Sequence, residues 1–137
     1  MTVQLTNDGL KIMLERAFIG DPTRSVINKF CMGKDQTTPQ VTDTDLDSKV
    51  EFDAGTGDYK SFEAGYPSLD SGKMEVTIRG IVSDTQCNGE ILNAAGIVNN
   101  DATKLLVALG TFTGIDKTSS KRLIIIFRIR ARQTIEV

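Results

Sequence analysis

The second half of the chain is built from short apolar runs separated by turn residues, and this spacing restricts the possible folds more than any other feature. Met74, Val76 and Ile78 alternate with polar residues, which is the period of a strand with one buried face. Gly80 is expected to interrupt this strand. Further apolar runs and turn signals follow, at 91–98, 105–112 and 123–127, and at 88–89, 99–101 and 117–120. The pattern predicts a mainly β fold, an antiparallel β-sandwich or meander.

The last of these runs is unbroken by polar residues. Residues 123–127 are all apolar, as in a strand that is covered on both faces. We expect Leu123, Ile125 and Phe127 to point into the core opposite Met74, Val76 and Ile78.

One amphipathic helix precedes the strands. Its apolar residues recur at helical spacing, and candidate caps at Thr6 or Asn7 and a stop at Gly20 and Pro22 place the helix at about 7–19. We expect the apolar stripe to pack on the chain's own sheet rather than on a neighbouring subunit; its members are Leu10, Met13, Leu14, Ala17 and Phe18. Residues 25–32 then predict a first long strand.

The 137 residues suit a single structural domain, 1–137, that can bury a core without disulfides. Within it, residues 53–72 hold four glycines and one proline, which predicts a long loop or a strand pair with extended connections. Three aromatic residues in this region, Tyr59, Phe62 and Tyr66, are candidates for a subunit interface.

The composition argues against catalysis and cofactor binding. The chain has no histidine, so Ser-His-Asp and Cys-His sites cannot be assembled within it. Its two cysteines, Cys31 and Cys87, cannot complete a zinc site without carboxylates, and we expect two separately buried thiols rather than a disulfide. We therefore predict a protein that is not an enzyme and that has no cofactor and no small-molecule substrate.

Three aspartates at alternate positions, Asp43, Asp45 and Asp47, invite comparison with a calcium loop. An EF-hand loop beginning at Asp43 requires Gly at position 48 and Glu at position 54, where this chain has Ser48 and Ala54. Turn formation and capping by the carboxylates explain the run better, and no metal site is predicted.

Charge is divided unevenly along the chain. Residues 1–72 contain seven basic and twelve acidic residues, whereas 73–137 contain nine and six, for a net charge of −2. This balance gives no reason to expect nucleic acid or membrane as a partner. Arg128, Arg130 and Arg132 share one face of the last strand, which is either solvated or paired with the acidic half of a neighbouring subunit. They are candidate interface residues.

Three segments of the chain resemble small tail proteins of tailed bacteriophages, including tail-collar, tail-fibre and baseplate-associated structural proteins. The segments are LTNDGLKIMLERAF, INKFCMGKDQTTPQVTDTDLDSKV and NGEILNAAGIVNNDATKLLVALGTFTGIDKTSSKRLIIIFRIR. The matching residues are Thr38, Pro39, Asp43, Thr44 and Leu46, then Ala95, Gly96, Ile97, Val98 and Asn99, then Lys117 and Thr118. The chain departs from the pattern at Ala94, where Glu is usual, and in the turn Met32 to Asp35.

This resemblance implies a non-enzymatic virion protein, assembled in the bacterial cytoplasm as an adaptor or connector in the tail, baseplate or collar. Its expected partners are other tail, baseplate or fibre proteins, and it is expected to form a symmetric homo-oligomer, either a trimer or a ring. Two alternatives remain: a capsid-decorating or neck protein, and a carbohydrate-binding module of a receptor-binding complex. The second alternative requires exposed aromatic residues, and the chain has only two tyrosines.

Overall fold

The protein consists of two antiparallel sheets packed face to face. The structure is a computed structural model that describes residues 2–131. The large sheet has the strand order β1-β8-β7-β2-β3, with β4 also paired to β2, and the small sheet has the order β5-β6-β9. The predicted mainly β antiparallel sandwich with one N-terminal helix is confirmed. The elements are β1 Thr2–Leu5, α1 Asn7–Leu14, β2 Ile27–Gly33, β3 Lys49–Val50, β4 Lys60–Ser61, β5 Ser68–Asp70, β6 Glu75–Val82, β7 Ile91–Asn99, β8 Leu106–Asp116 and β9 Leu123–Arg130.

The main core lies between the two sheets. Phe30 of β2 is fully buried there and meets Phe52 edge to face, with ring centroids 5.1 Å apart. The Phe30 ring also lies against Gly80 of β6, where a Cβ would come within 2.7–2.8 Å of ring atoms. The expectation that Gly80 interrupts the strand is therefore wrong, because β6 continues through it to Val82 and the missing side chain is what admits the ring.

A second apolar cluster covers the other face of the large sheet. Cys31 and Leu106 lie in it beneath Leu46, which the loop between β2 and β3 folds over the sheet. Strands β7 and β8 are thus buried on both faces over much of their length. This explains why their sequences show apolar runs instead of strict alternation.

Strand β9 is covered on one face only, contrary to the prediction from its unbroken apolar run. Phe127 is 6% exposed and pairs with Ile78 across the strands, as predicted, but Ile124 and Ile126 are 47% and 44% exposed on the outer face. No further layer covers that face within residues 2–131. Met74 was also placed wrongly, because it lies exposed at positive φ in the turn that joins β5 to β6.

Helix α1 is fixed to β8 by its first turn. Thr6 caps the helix by accepting a bond from the Gly9 N–H at 3.0 Å, and its own N–H donates to the Val107 carbonyl at 3.0 Å. Gly9 lies so close to β8 that an added Cβ would be 2.3 Å from the Val107 oxygen. The buried face of α1 is consequently formed by Gly9 and Ile12. The predicted packing of the stripe is wrong for four of its members, which are exposed: Leu10, Leu14, Ala17 and Phe18.

The aspartates of the loop between β2 and β3 form turns, as expected from the sequence. Asp43 accepts the Gln40 N–H at 2.8 Å, and Asp47 accepts both the N–H and the hydroxyl of Thr37 at 2.9 and 2.8 Å. The bonds from Thr37 lower the pKa of Asp47. Asp45 pairs with Lys49.

We predict that Phe127→Ala lowers the free energy of unfolding by about 3–5 kcal/mol, because it leaves a cavity between the sheets. The matched control is Ile126→Ala on the exposed face of the same strand, which should cost less than about 1.5 kcal/mol. Chemical denaturation of both variants measures the difference. Equal losses would contradict the inward orientation of Phe127.

We also predict that Gly9→Ala destabilises the protein by about 1–3 kcal/mol, because the methyl group collides with the Val107 carbonyl. Helix propensity alone predicts the opposite sign, a gain of about 1 kcal/mol. Gly72→Ala is the control, since the added Cβ would meet only the end of the Asp70 side chain, at 3.3 Å. Stabilisation by Gly9→Ala in the same denaturation experiment would disprove the close docking of α1.

Candidate subunit-contact surfaces

Four large apolar side chains stand exposed on α1 and on the turn that follows it. They are Leu10, Leu14, Phe18 and Ile19, which we call the helix patch. Phe18 and Ile19 are 81% and 77% exposed, more than any other large apolar residues that the structure describes. A contiguous exposed apolar area on a rigid element is typical of a contact site for another protein.

The chain holds the helix patch in place at both ends. The first turn of α1 docks on β8 through Thr6, as described above. After Leu14 the chain continues as a π-helical turn, Glu15–Ile19. Arg24 then binds Glu15 at 2.6 Å and Asp101 at 3.3 Å, which ties this turn to the loop between β7 and β8.

A second apolar surface lies beside β9. A groove of about 690 Å³ separates residues 122–128 from residues 112–115 of β8, and Val3, Phe112 and Leu123 contribute to its walls. Ile124 and Ile126 border it. The groove follows from the chain path, because β8 belongs to the large sheet and β9 to the small one.

Two of the three arginines predicted as interface residues lie on the outer face of β9. Arg130 binds Glu75 of the neighbouring strand at 3.1 Å, and Arg128 approaches the same carboxylate at 3.9 Å. Glu75 is largely buried, whereas both guanidinium groups are more than half exposed. These arginines therefore have an acidic partner within their own chain, and the prediction that they bind a neighbouring subunit remains a prediction. Arg132 lies outside the described residues.

The three aromatic interface candidates lie in different surroundings. Phe62 is 8% exposed in the main core, so its assignment to a subunit interface is wrong. Tyr59 is half-buried against the second cluster, and the ammonium groups of Lys49 and Lys104 lie 5.5 and 6.0 Å from its ring centroid. Burial raises the pKa of Tyr59. Tyr66 is half-buried against the main core. The sequence did not single out Ile19, because it falls outside the predicted stripe.

The two cysteines are free thiols in separate clusters, as expected from the sequence. Cys31 lies in the second cluster, and burial raises its pKa to about 12. Cys87 lies in the main core, and burial raises its pKa to about 11. Both groups are therefore protonated at neutral pH.

Within residues 2–131, no three Cys, Asp or Glu side chains form a group able to hold a metal ion. No helix in this range is long and apolar enough to cross a membrane. Comparison with protein-family models, with curated proteins and with solved structures finds no match.

We predict that iodoacetamide labels Cys31 and Cys87 far more slowly at neutral pH in the folded protein than after unfolding in guanidinium chloride. Burial blocks access, and the raised pKa values suppress the thiolate that reacts. Ser71→Cys places a thiol in an exposed turn and should be labelled rapidly as an internal control. Mass spectrometry follows all three positions, and rapid labelling of Cys31 in the folded chain would contradict its burial.

Proposed function

We propose that this chain is a structural protein of a tailed-bacteriophage particle, an adaptor or connector in the tail, baseplate or collar. The observation that supports this proposal best is the helix patch, which presents four large apolar side chains to solvent. The resemblance of the N-terminal helix and of the last three strands to phage tail proteins supports it independently.

The helix patch can contribute to the stability of a complex. Complete burial of one Phe, Leu or Ile side chain contributes about 1.5–3 kcal/mol. Several such contacts, made together, exceed the ordering cost of a few side chains at an interface, which is about 0.5–1.5 kcal/mol each. Association also costs about 4–15 kcal/mol in translational and rotational freedom, so the patch is suited to be one part of a larger contact. Phe18 supplies the largest single share of the area, since it is the most exposed of the four.

The anchoring of the helix patch lowers the cost of binding further. The helix is capped by Thr6 and docked on β8, and the turn after it is tied to Asp101 through Arg24. A surface that is already ordered loses little conformational entropy when a partner binds. This suits a protein that joins other components in a fixed geometry.

The alternative functions differ in how well they use these surfaces. A capsid-decorating or neck protein would use the same helix patch, so it remains the second candidate within the structural class. A carbohydrate-binding module requires aromatic faces open to a sugar, whereas Tyr59 and Tyr66 are both half-buried against their own chain. Phe18 is exposed, but its neighbours in the helix patch are aliphatic and offer a sugar no hydrogen bonds. The geometry therefore favours protein contacts over sugar binding.

The proposal predicts that mass spectrometry detects the chain in purified particles of the phage that encodes it, and that Phe18→Glu removes it from them. The charge prevents burial of the patch but, at an exposed position, should leave the melting temperature nearly unchanged. Met74→Glu, a charge at another exposed apolar residue, should be incorporated normally. Absence of the wild-type chain from particles would refute the proposal, as would normal incorporation of folded Phe18→Glu.

A further inference from the structure

Strand β9 has an open edge. It pairs with β6 at all eight of its positions, from Leu123 opposite Val82 to Arg130 opposite Glu75, without a register shift. On its other side no strand of residues 2–131 pairs with it. In an antiparallel strand, alternate residues direct their N–H and C=O groups to each side, so β9 presents a row of backbone groups away from β6.

This edge lacks the features by which proteins usually prevent edge-to-edge pairing. It contains no proline and no bulge, and its inward-facing residues are Leu123, Ile125, Phe127 and Ile129. The two arginines on the outer face occupy one end, where Glu75 offsets part of their charge. The remaining outer residues, Ile124 and Ile126, are apolar and exposed. A long, regular and apolar edge of this kind is suited to pairing with another strand.

We propose that the occupant of this edge is β9 of a second copy, paired antiparallel about a two-fold axis so that the two small sheets become one six-stranded sheet. The inference goes beyond the proposed function, and the two-fold pair differs from the trimer or ring that the resemblance implies. Length supports β9 as its own partner. The other edge strands are β5, β3, β4 and β1, with three, two, two and four residues, and none could pair along all eight residues of β9.

The faces of the sheet select the antiparallel orientation, in which the core-facing residues of both copies stay on one side of the joint sheet. With Phe127 at the two-fold axis, Arg128 lies opposite the partner's Ile126, and Arg130 lies opposite the partner's Ile124. A parallel pair through the same edge would require one copy to be turned over, so the core-facing side of one small sheet would lie beside the outer face of the other. The isoleucines exposed in the single chain would pack against the aliphatic parts of these arginines.

The contact also has the size that a specific dimer requires. Eight residues span about 26 Å, and the sandwich edge is two layers thick with sheets about 10 Å apart. The buried surface is then roughly 1,000 Å² over both copies, near the lower bound for a specific interface. The partner would also cover the apolar groove beside β9, which is lined by Phe112 and Leu123.

Sedimentation velocity between about 1 and 100 μM tests the proposal, with three single variants beside the wild-type chain. The wild type should dimerise. Ile126→Lys puts a positive charge opposite the partner's Arg128 twice in each dimer, so its Kd should rise about tenfold or more. Leu69→Lys is the matched control, because Leu69 is an exposed apolar residue on β5 at the opposite edge of the same sheet. It should leave Kd unchanged, as should Phe18→Glu.

Hydrogen exchange provides a second readout that does not depend on a variant. Amides of β9 that face away from β6 should exchange quickly in dilute protein and more slowly as the dimer forms. Melting curves establish that Ile126→Lys is folded, and Ile124→Lys replaces it if it is not.

Four results would overturn the inference. They are a monomeric wild type at the highest concentration, unchanged Kd in folded Ile126→Lys, equal weakening by Ile126→Lys and Leu69→Lys, and loss of the dimer through Phe18→Glu. Equal weakening would indicate head-to-tail pairing of β9 with β5, and an effect of Phe18 would indicate self-contact through the helix patch. A monomer that still enters particles would refute the dimer alone, whereas a dimer absent from particles would refute only the proposed function.

Discussion

The contact of the Phe30 ring with Gly80 determines how the two sheets meet, and most other features follow from it. The ring is fully buried, and the absence of a Cβ at position 80 lets β6 approach it at van der Waals distance. Because β6 is the central strand of the small sheet, its position sets those of β5 and β9. The approach of the small sheet to the large one therefore depends on one aromatic residue and one glycine.

Over residues 2–131, the large sheet is covered on both faces and the small sheet on one face only. The two candidate contact surfaces therefore arise for different reasons. Leu46 and Tyr59 cover the second face of the large sheet, while the second face of the small sheet is open within the described residues. Exposed isoleucines on β9 result from that open face. The helix patch has another origin, since α1 uses Gly9 and Ile12 to dock on β8 and leaves its larger side chains outside. One chain thus offers a strand edge for its own copy and a helix face for other proteins.

Several elements could be predicted from the sequence because their causes are local. Alternation around Val76 and Ile78 identified β6, and the turn residues from Asn99 to Asp101 separated β7 from β8. The carboxylates of Asp43 and Asp47 form turns for the reason that the sequence suggested. The candidate contact surfaces were harder to predict from the sequence. Phe62 proved to be a core residue, and Phe18 was exposed although its helical spacing suggested burial. Spacing identifies an apolar stripe, but not the surface against which it packs.

The sequence by itself determined the class of the fold, because the period of apolar residues and the placement of turns are properties of neighbouring positions. It could not determine which apolar runs would be buried on both faces, since 91–98 and 123–127 are both rich in apolar residues and only the first lies between two layers. That outcome depends on Leu46, whose contact with β7 joins residues far apart in the chain. The tertiary structure alone also decided that Gly9, rather than the larger residues of α1, faces β8, because only a glycine permits the backbone of the helix to reach the carbonyl of Val107.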